Sequence, residues 1–304
     1  MQNIVITGAS GWLGRATIRA LVSEFGPTVL ESISAFGSRR KIISIRGVGE
    51  VRVEPLSKLE ALQKCDYLFH YAFLTRDFLD KSGVETYRES NDFIRETVSS
   101  YILTRKPKAL IFCSSGAVAQ RSKKQKLDLS YNVYAEMKER ECVDLLAVAN
   151  TCGTHSIMCT LFSATGLDMV QPSKYAIGSL AQQALFANEI LIESRGLVLR
   201  KYVDTEDLMR LLIKLAHEDA SIDLESGGTL IELSELATMV NSLVGNRLPI
   251  VRPEIDSNSL PDDYFSRDDS MTKLFSRYGI KAKPLEAQIA NVVEAVKLSN
   301  QLFY

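Results

Sequence analysis

The chain has 304 residues, 46% of them hydrophobic and 24% charged, which is enough for one large domain or two modest ones with ordinary apolar cores. Its formal net charge of −1 gives no support to a nucleic-acid or other polyanionic partner, and no apolar run approaches the length of a membrane span. The five cysteines form no Cys-x-x-Cys and mostly sit in apolar stretches, so they read as reduced core residues, and the three histidines lack ligand spacing, so no metal is expected.

The amino terminus enters a β-branched run at residues 3–7 without a basic segment or cleavage site, so a cytoplasmic chain is expected. Gly8-Ala9-Ser10-Gly11-Trp12-Leu13-Gly14 follows directly, after which Leu13, Ala16, Thr17, Ala20, Leu21 and Phe25 recur on one helical side. Strand, glycine turn and helix in this order form the setting of a dinucleotide-binding loop. The glycines let backbone N–H groups approach a pyrophosphate at the helix N-terminus. The spacing is Gly-x-x-Gly-x-x-Gly, not the better-known Gly-x-Gly-x-x-Gly, and a glycine turn alone can be purely structural.

The next strand should end in the residue that reads the adenosine ribose. Placed at residues 32–36, it ends in Gly37-Ser38-Arg39-Arg40, where small residues and arginines suit a 2′-phosphate and hence NADP. Placed at residues 28–30, it ends in Glu31, which would bond a 2′-hydroxyl and favour NAD. A third strand is predicted at residues 51–53 and a short helix at 56–64. Tyr67-Leu68-Phe69-His70-Tyr71-Ala72 has the apolar continuity of a buried parallel strand, with His70 a core or supporting residue. A long amphipathic helix over residues 85–103 carries Asn91. A buried strand at 109–113 ends in Ser114-Ser115-Gly116-Ala117, placing hydroxyls where parallel sheets bind ligands. The basic run 121–126 reads as a solvated turn. Further strands are predicted at 156–162, 189–192 and 197–202, and helices at 177–187, 205–218, 270–278 and 285–298.

Tyr134 and Lys138, on a helix over residues 134–148, are four apart and so share a face one turn apart. A free tyrosine titrates near ~10, too high for proton exchange at neutral pH. A nearby ammonium favours the phenolate and makes the pair a usable acid/base. Alone, Tyr-x-x-x-Lys also fits a helix that buries Tyr134 and solvates Lys138.

Together these residues resemble the extended short-chain dehydrogenase/reductases, in particular the nucleotide-sugar epimerase/dehydratase/reductase group, over nearly the whole chain. Thr7-Gly8-Ala9-Ser10-Gly11-Trp12-Leu13-Gly14 is similar to that family's Thr-Gly-x-x-Gly-x-x-Gly loop, and Phe69-His70-Tyr71-Ala72 to the segment beside the cofactor. The resemblance implies a Rossmann-type doubly wound parallel sheet over residues 1–165, with 203–220 returning to it. A smaller α+β substrate domain would occupy residues 166–304. It implies catalytic roles for Asn91, Ser115, Tyr134 and Lys138: Tyr134 exchanging the proton, Lys138 lowering its pKa and holding the nicotinamide ribose, Ser115 bonding the substrate oxygen, Asn91 supporting Lys138 through water. Gly8, Ser10, Gly11, Trp12, Leu13, Gly14, Ser38, Arg39, Arg40, Tyr71 and Ala72 would complete the cofactor site. Arg200, in Arg200-Lys201-Tyr202-Val203-Asp204, would grip a substrate diphosphate. Dimers through the helices at 85–103 and 134–148 are implied by the same analogy.

Departures from the family pattern narrow the chemistry. Gly116-Ala117 follows Ser115 where dehydratases carry Asp-Glu, and Gly116 offers no acid or base for epimerisation beside the carbonyl. Thr160-Leu161-Phe162-Ser163 replaces the family's Arg-x-x-Asn, removing an expected sugar or phosphate contact. The resemblance thus points to an NADP-dependent reductase of a keto group on a nucleotide-linked sugar. An NAD-dependent 4-epimerase is the alternative, and a non-catalytic cofactor sensor is the third reading.

Overall fold

The computed structural model describes residues 2–121, 128–256 and 259–301. The chain divides into two compact units, Met1–Leu161 with Met209–Leu224, and Phe162–Leu208 with Glu225–Tyr304. The basic run after Arg121 lies outside the described residues.

In the first unit, strands β1 (Ile4–Thr7), β2 (Ile33–Gly37), β3 (Lys41–Ile45), β4 (Gly49–Pro55), β5 (Tyr67–His70), β6 (Ala109–Ser115) and β7 (His155–Leu161) join a return strand, Ile222–Glu225, in one sheet. The order is Ile222–Glu225, β7, β6, β5, β1, β2, β4, β3. From β7 to β4 every pair is parallel, and β3 runs antiparallel to β4 as a hairpin at the sheet edge. Helices α1 (Trp12–Phe25), α2 (Arg76–Ser82), α3 (Val84–Arg105), α4 (Gly116–Arg121) and α5 (Leu129–Cys152) complete a doubly wound, Rossmann-type arrangement. β1 and β6 are buried along their whole lengths, as a sheet covered on both faces requires. Val98 and Ile102 of α3 and Leu145 of α5 close one core over Val5, Leu68 and Leu110.

Two readings of the early strands are separated by this sheet. Pro27–Ser32 forms a 3-10 helix, so Glu31 ends no strand; β2 begins at Ile33 and its tip is Gly37. The hairpin strand β3 was not predicted. Its turn rests on Gly47 and Gly49, both at positive φ, and its residues alternate between buried and exposed on one partly solvated ribbon.

The second unit is built on β8 (Ser163–Thr165), β9 (Val198–Asp204), β10 (Thr229–Glu232) and β11 (Asp262–Tyr264), all paired through β9. It also contains α6 (Ala176–Phe186), the start of α7 (Thr205–Leu215), α8 (Leu233–Val244), α9 (Ser270–Arg277) and α10 (Leu285–Gln301). The division falls at Leu161 and not at 165 because β8 pairs with Tyr202–Asp204 of β9. For the same reason the chain rejoins the first unit at Met209 instead of at 203. Lys283 organises this unit's polar interior, with Nζ 2.8 Å from Asp204 and 3.0 Å from Asp207, while Asn291 Nδ2 donates to Asp204 at 3.3 Å.

Candidate active site

The parallel strands of the first unit end on one edge, where β1 runs into Gly8, β2 into Ser38, β5 into Tyr71 and β6 into Gly116. The glycine loop is fixed by close backbone approach. A Cβ on Gly8 would stand 2.5 Å from the carbonyl carbon of Tyr71, and φ there is +68°. A Cβ on Gly14 would stand 2.5 Å from Gly8 O and 2.6 Å from the Ala9 Cα. Gly11 is different: it is exposed, its backbone is extended, and a Cβ would meet only Gly8 O at 3.2 Å. No side chain caps the N-terminus of α1 and its first turn carries no acid, so its positive end suits a pyrophosphate. The donors and the absence of negative charge fit a dinucleotide at Gly8, Ser10, Gly11, Trp12, Leu13 and Gly14.

At the tip of β2, a Cβ on Gly37 would lie 3.5 Å from Ser10 Oγ, so the β2 tip and the glycine loop are neighbours. Arg40 is committed to Glu54, 3.0 Å away. Arg15 donates from Nε to Ser10 O at 3.1 Å and from Nη1 to Ser44 O at 2.7 Å, which bridges the loop to β3. Lys41 titrates below its ordinary value, first because of partial burial and then because Arg39 and Arg15 repel its charge. Arg15, Arg39 and Lys41 therefore form one cationic cluster beside Ser38. Sequence reading found Arg39 and missed Arg15 and Lys41, since the hairpin that brings Lys41 back was not visible.

Tyr71 and Ala72 contribute backbone to this edge. Ala72 N donates to Thr7 Oγ1 at 3.4 Å and Tyr71 N to Thr7 O at 3.0 Å. The Tyr71 side chain turns inward, its hydroxyl 3.1 Å from Thr17 Oγ1 and 3.2 Å from Met209 Sδ, and burial pushes its pKa well up. Ser115 is buried at the end of β6, and its Oγ accepts from Ala117 N at 3.2 Å, capping the first turn of α4.

Asp128, whose side chain accepts from Tyr131 N at 2.7 Å, starts α5 one turn before the predicted helix. That helix carries Tyr134, partly buried, and Lys138, buried at 8% exposure. Phe73 covers both: its ring lies 5.8 Å from the Tyr134 ring, edge-on, and Lys138 Nζ sits 4.4 Å above its centre. Asn91 is bonded to the segment just before α2. Its Oδ1 accepts from Leu74 N at 2.9 Å, and its Nδ2 donates to Leu74 O and Tyr87 O, so it anchors the segment that presents Phe73.

The partner of Lys138 is Glu141, with Nζ 2.5 Å from Oε2. The other carboxylate oxygen lies 3.1 Å from His70 Nε2, and His70 Nδ1 lies 2.6 Å from Thr7 Oγ1. His70 is 1% exposed and Glu141 2%. Burial alone would lower the Lys138 pKa and raise that of Glu141. Their mutual attraction outweighs it, so Lys138 titrates above the lysine range and Glu141, also held by His70, below the carboxylate range. Sequence reading missed Glu141. Its i,i+3 spacing from Lys138 was visible, but similar spacings occur on any solvated helix face.

The helices α3 and α5 pack on each other within the chain, tied by Arg88 to Glu136 at 2.8 Å, Arg95 to Asp144, and Arg140 to Asp92. In the second unit, Arg200 is held by its own sheet: Nη2 donates to Asp262 Oδ2 at 2.7 Å and Nη1 to Asp262 O at 2.8 Å. Among the described residues no helix is long and apolar enough to cross a membrane, and no group of three or more His, Cys, Asp or Glu could hold a metal ion.

The family model for NAD dependent epimerase/dehydratases matches residues 4–225. No curated protein matches the sequence. Among solved structures, the fold is similar to a UDP-N-acetylglucosamine 4-epimerase from Methanobrevibacter ruminantium in complex with UDP-N-acetylmuramic acid (TM-score 0.73, 17% identity, 99% of each chain covered). It is also similar to the UDP-glucose 4-epimerase of Thermotoga maritima with UDP-glucose (TM-score 0.72, 16% identity, 98% of this chain and 100% of that one). A third is a double mutant of dTDP-glucose 4,6-dehydratase from Streptomyces venezuelae with NAD bound (TM-score 0.71, 15% identity, 98% of each chain).

Proposed function

Given that this chain belongs to the NAD dependent epimerase/dehydratase family, enzymes of the extended short-chain dehydrogenase/reductase type, we propose that it is an NADP-dependent reductase acting on a keto group of a nucleotide-linked sugar. The observation that carries the reading is the cationic cluster of Arg15, Arg39 and Lys41 beside Ser38 and Ser10. A 2′-phosphate bonded there would relieve the repulsion among three cations, whereas a 2′-hydroxyl would leave it in place. A reductase also suits exchangeable NADP, because spent cofactor must leave after each turnover.

When bound, the dinucleotide supplies the hydride; the chain supplies position and the proton. The backbone of Gly11, Trp12 and Leu13 at the start of α1 holds the pyrophosphate, and the Tyr71–Ala72 backbone, pressed against Gly8, walls the site. The Ser115 hydroxyl bonds the substrate carbonyl oxygen as negative charge grows on it, and Tyr134 gives that oxygen its proton. Gly116 and Ala117 after Ser115 leave no carboxylate pair there to eliminate water, which weighs against a dehydratase.

The test is fluorescence titration of freshly purified protein with NADPH and NADH. Tighter binding of NADPH, lost about 5–30-fold in Arg39→Ala with NADH unchanged, is the expected result, corresponding to about 1–2 kcal/mol for one charge-assisted contact. Protein that arrives loaded with NAD, or that binds NADH at least as well, would overturn the NADP reading in favour of the 4-epimerase.

A further inference from the structure

The cations beside Ser38 are the near end of a longer ridge. Residues 39–54 carry five cations against two acids, in a chain whose formal net charge is −1, so positive charge is concentrated on the β3–β4 hairpin. β4 runs parallel to β2, and β3 antiparallel to β4. Lys41 therefore lies at the edge that carries the glycine loop, and Ile45 at the opposite edge. Arg46 follows in the hairpin turn, exposed, roughly 16 Å along the chain from Lys41.

Helix α1 completes the ridge. Arg15 and Arg19 stand one turn apart on it, and both reach the hairpin. Arg15 Nη1 donates to Ser44 O at 2.7 Å, and Arg19 Nη1 donates to Arg46 O. A Cβ on Gly47 would lie 3.6 Å from Arg19 Nη1, so the Arg19 guanidinium rests against the turn. A bond to a carbonyl oxygen holds a guanidinium without removing its charge. The nearby acids offset only part of this field. Glu54 is bound to Arg40 at 3.0 Å, and Glu50, opposite Ser44, is on the hairpin's exposed face, away from the buried Ile43 and Ile45. Glu24, at the far end of α1, is held by Arg210 and Lys214.

We propose that Arg19 and Arg46 are steering residues, which lie beyond contact with the dinucleotide but extend the positive field of its site and speed capture of the phosphorylated form over the unphosphorylated one. This rests on the cofactor site proposed above and adds a rate to its affinity. Charges in water attract over a Debye length, about 8 Å at physiological salt and about 30 Å at 0.01 M, so the far end of the ridge acts most strongly at low salt. A 2′-phosphate adds a charge of about −1.5 to −2 to that of the pyrophosphate, so NADPH feels the ridge about twice as strongly as NADH. A charge beyond contact acts alike on the encounter and on the bound complex, and so changes the association rate and not the dissociation rate. A contact charge such as Arg39 acts chiefly on dissociation.

The experiment is stopped-flow fluorescence of the whole chain with NADPH and with NADH, at ionic strengths of about 10 mM and about 300 mM. Arg46→Glu reverses one charge and keeps the carbonyl that Arg19 bonds. At the lower ionic strength it is expected to slow NADPH association about three- to eightfold and NADH association less than about threefold, with both dissociation rates within about twofold of native. Both differences should vanish at the higher ionic strength. Arg46→Gln, which only removes the charge, should act in the same direction and less. Lys64→Glu makes the same change in net charge at an exposed position before β5 and should leave association within about 1.5-fold of native. Native-like association by folded Arg46→Glu, or a change confined to dissociation, would overturn the proposal. Equal slowing by Lys64→Glu would also overturn it, since net charge alone would then set the rate. NADH carries the pyrophosphate charge too, so loss of the NADP reading with NADH association still slowed by Arg46→Glu would leave the steering role standing. Tighter equilibrium binding of NADPH with association independent of salt would keep the NADP reading and remove the steering role.

Discussion

Gly14 and Gly11 allow the packing role of the glycine loop to be separated from its binding role. In Gly14→Ala the new Cβ meets three backbone atoms, at 2.5, 2.6 and 2.9 Å. Ordinary contact begins near 3.4 Å, so α1 must retreat from Gly8 and Ala9 by about 1 Å, since no flexible side chain is there to yield. Overpacking of this kind costs about 1–3 kcal/mol, and alanine's better helix propensity returns somewhat less than about 1 kcal/mol. A net loss of about 1–2 kcal/mol lowers the melting temperature by roughly 2–8 °C in a domain of this size, and dinucleotide binding falls with the displaced helix end. Gly11→Ala meets only one atom, at 3.2 Å, in an extended backbone that any residue adopts. Its stability should change by less than about 1 kcal/mol, while its exposed methyl stands where a pyrophosphate must approach and weakens NADPH binding at least about tenfold. Thermal melts and fluorescence titration of both variants are the assay. Equal melting of Gly14→Ala and the native chain would refute the packing argument; unaltered NADPH binding by Gly11→Ala would refute the placement of the pyrophosphate.

Two further substitutions probe the second unit. Lys283→Met leaves Asp204, whose side chain is 1% exposed, and Asp207, 4% exposed, facing each other without their cation, at a cost of about 3–5 kcal/mol in chemical denaturation. Burial alone would lower the Lys283 pKa, but the two carboxylates raise it above 10.5, so its contribution is full below that value and is lost as pH rises through the higher folded-state value. The stability gap between native and Lys283→Met should therefore narrow only in strong alkali, and a gap that closes already at neutral pH would contradict the pairing. Arg200→Ala removes the bonds that tie β9 to β11 through Asp262 and should cost about 1–2 kcal/mol of stability. Native-like melting with a selective loss of nucleotide-sugar binding would instead return Arg200 to a substrate diphosphate.

The sequence alone determined the parts of this protein that depend on local rules. A β-branched run, glycines at 8, 11 and 14 and a 3.6-residue apolar period specify strand, loop and helix within a few residues of one another, and a four-residue spacing puts Tyr134 and Lys138 on one face. The parallel sheet followed from continuous apolar runs such as 67–72 and 109–113, because strands buried on both faces lose their alternation. Tertiary structure decided what each functional side chain touches. That Asn91 lies on a long helix was legible, while its bonds to Leu74 and the pairing of Lys138 with Glu141 were not. His70 reaches Glu141 across 71 residues and Arg200 reaches Asp262 across 62. Such pairings carry no periodic trace, because a side chain's choice among partners depends on strand order and burial, which set the desolvation cost each charge must recover. The cluster of Arg15, Arg39 and Lys41 shows the same division. Arginines after β2 were readable, but their company depended on a hairpin folding Lys41 back beside α1.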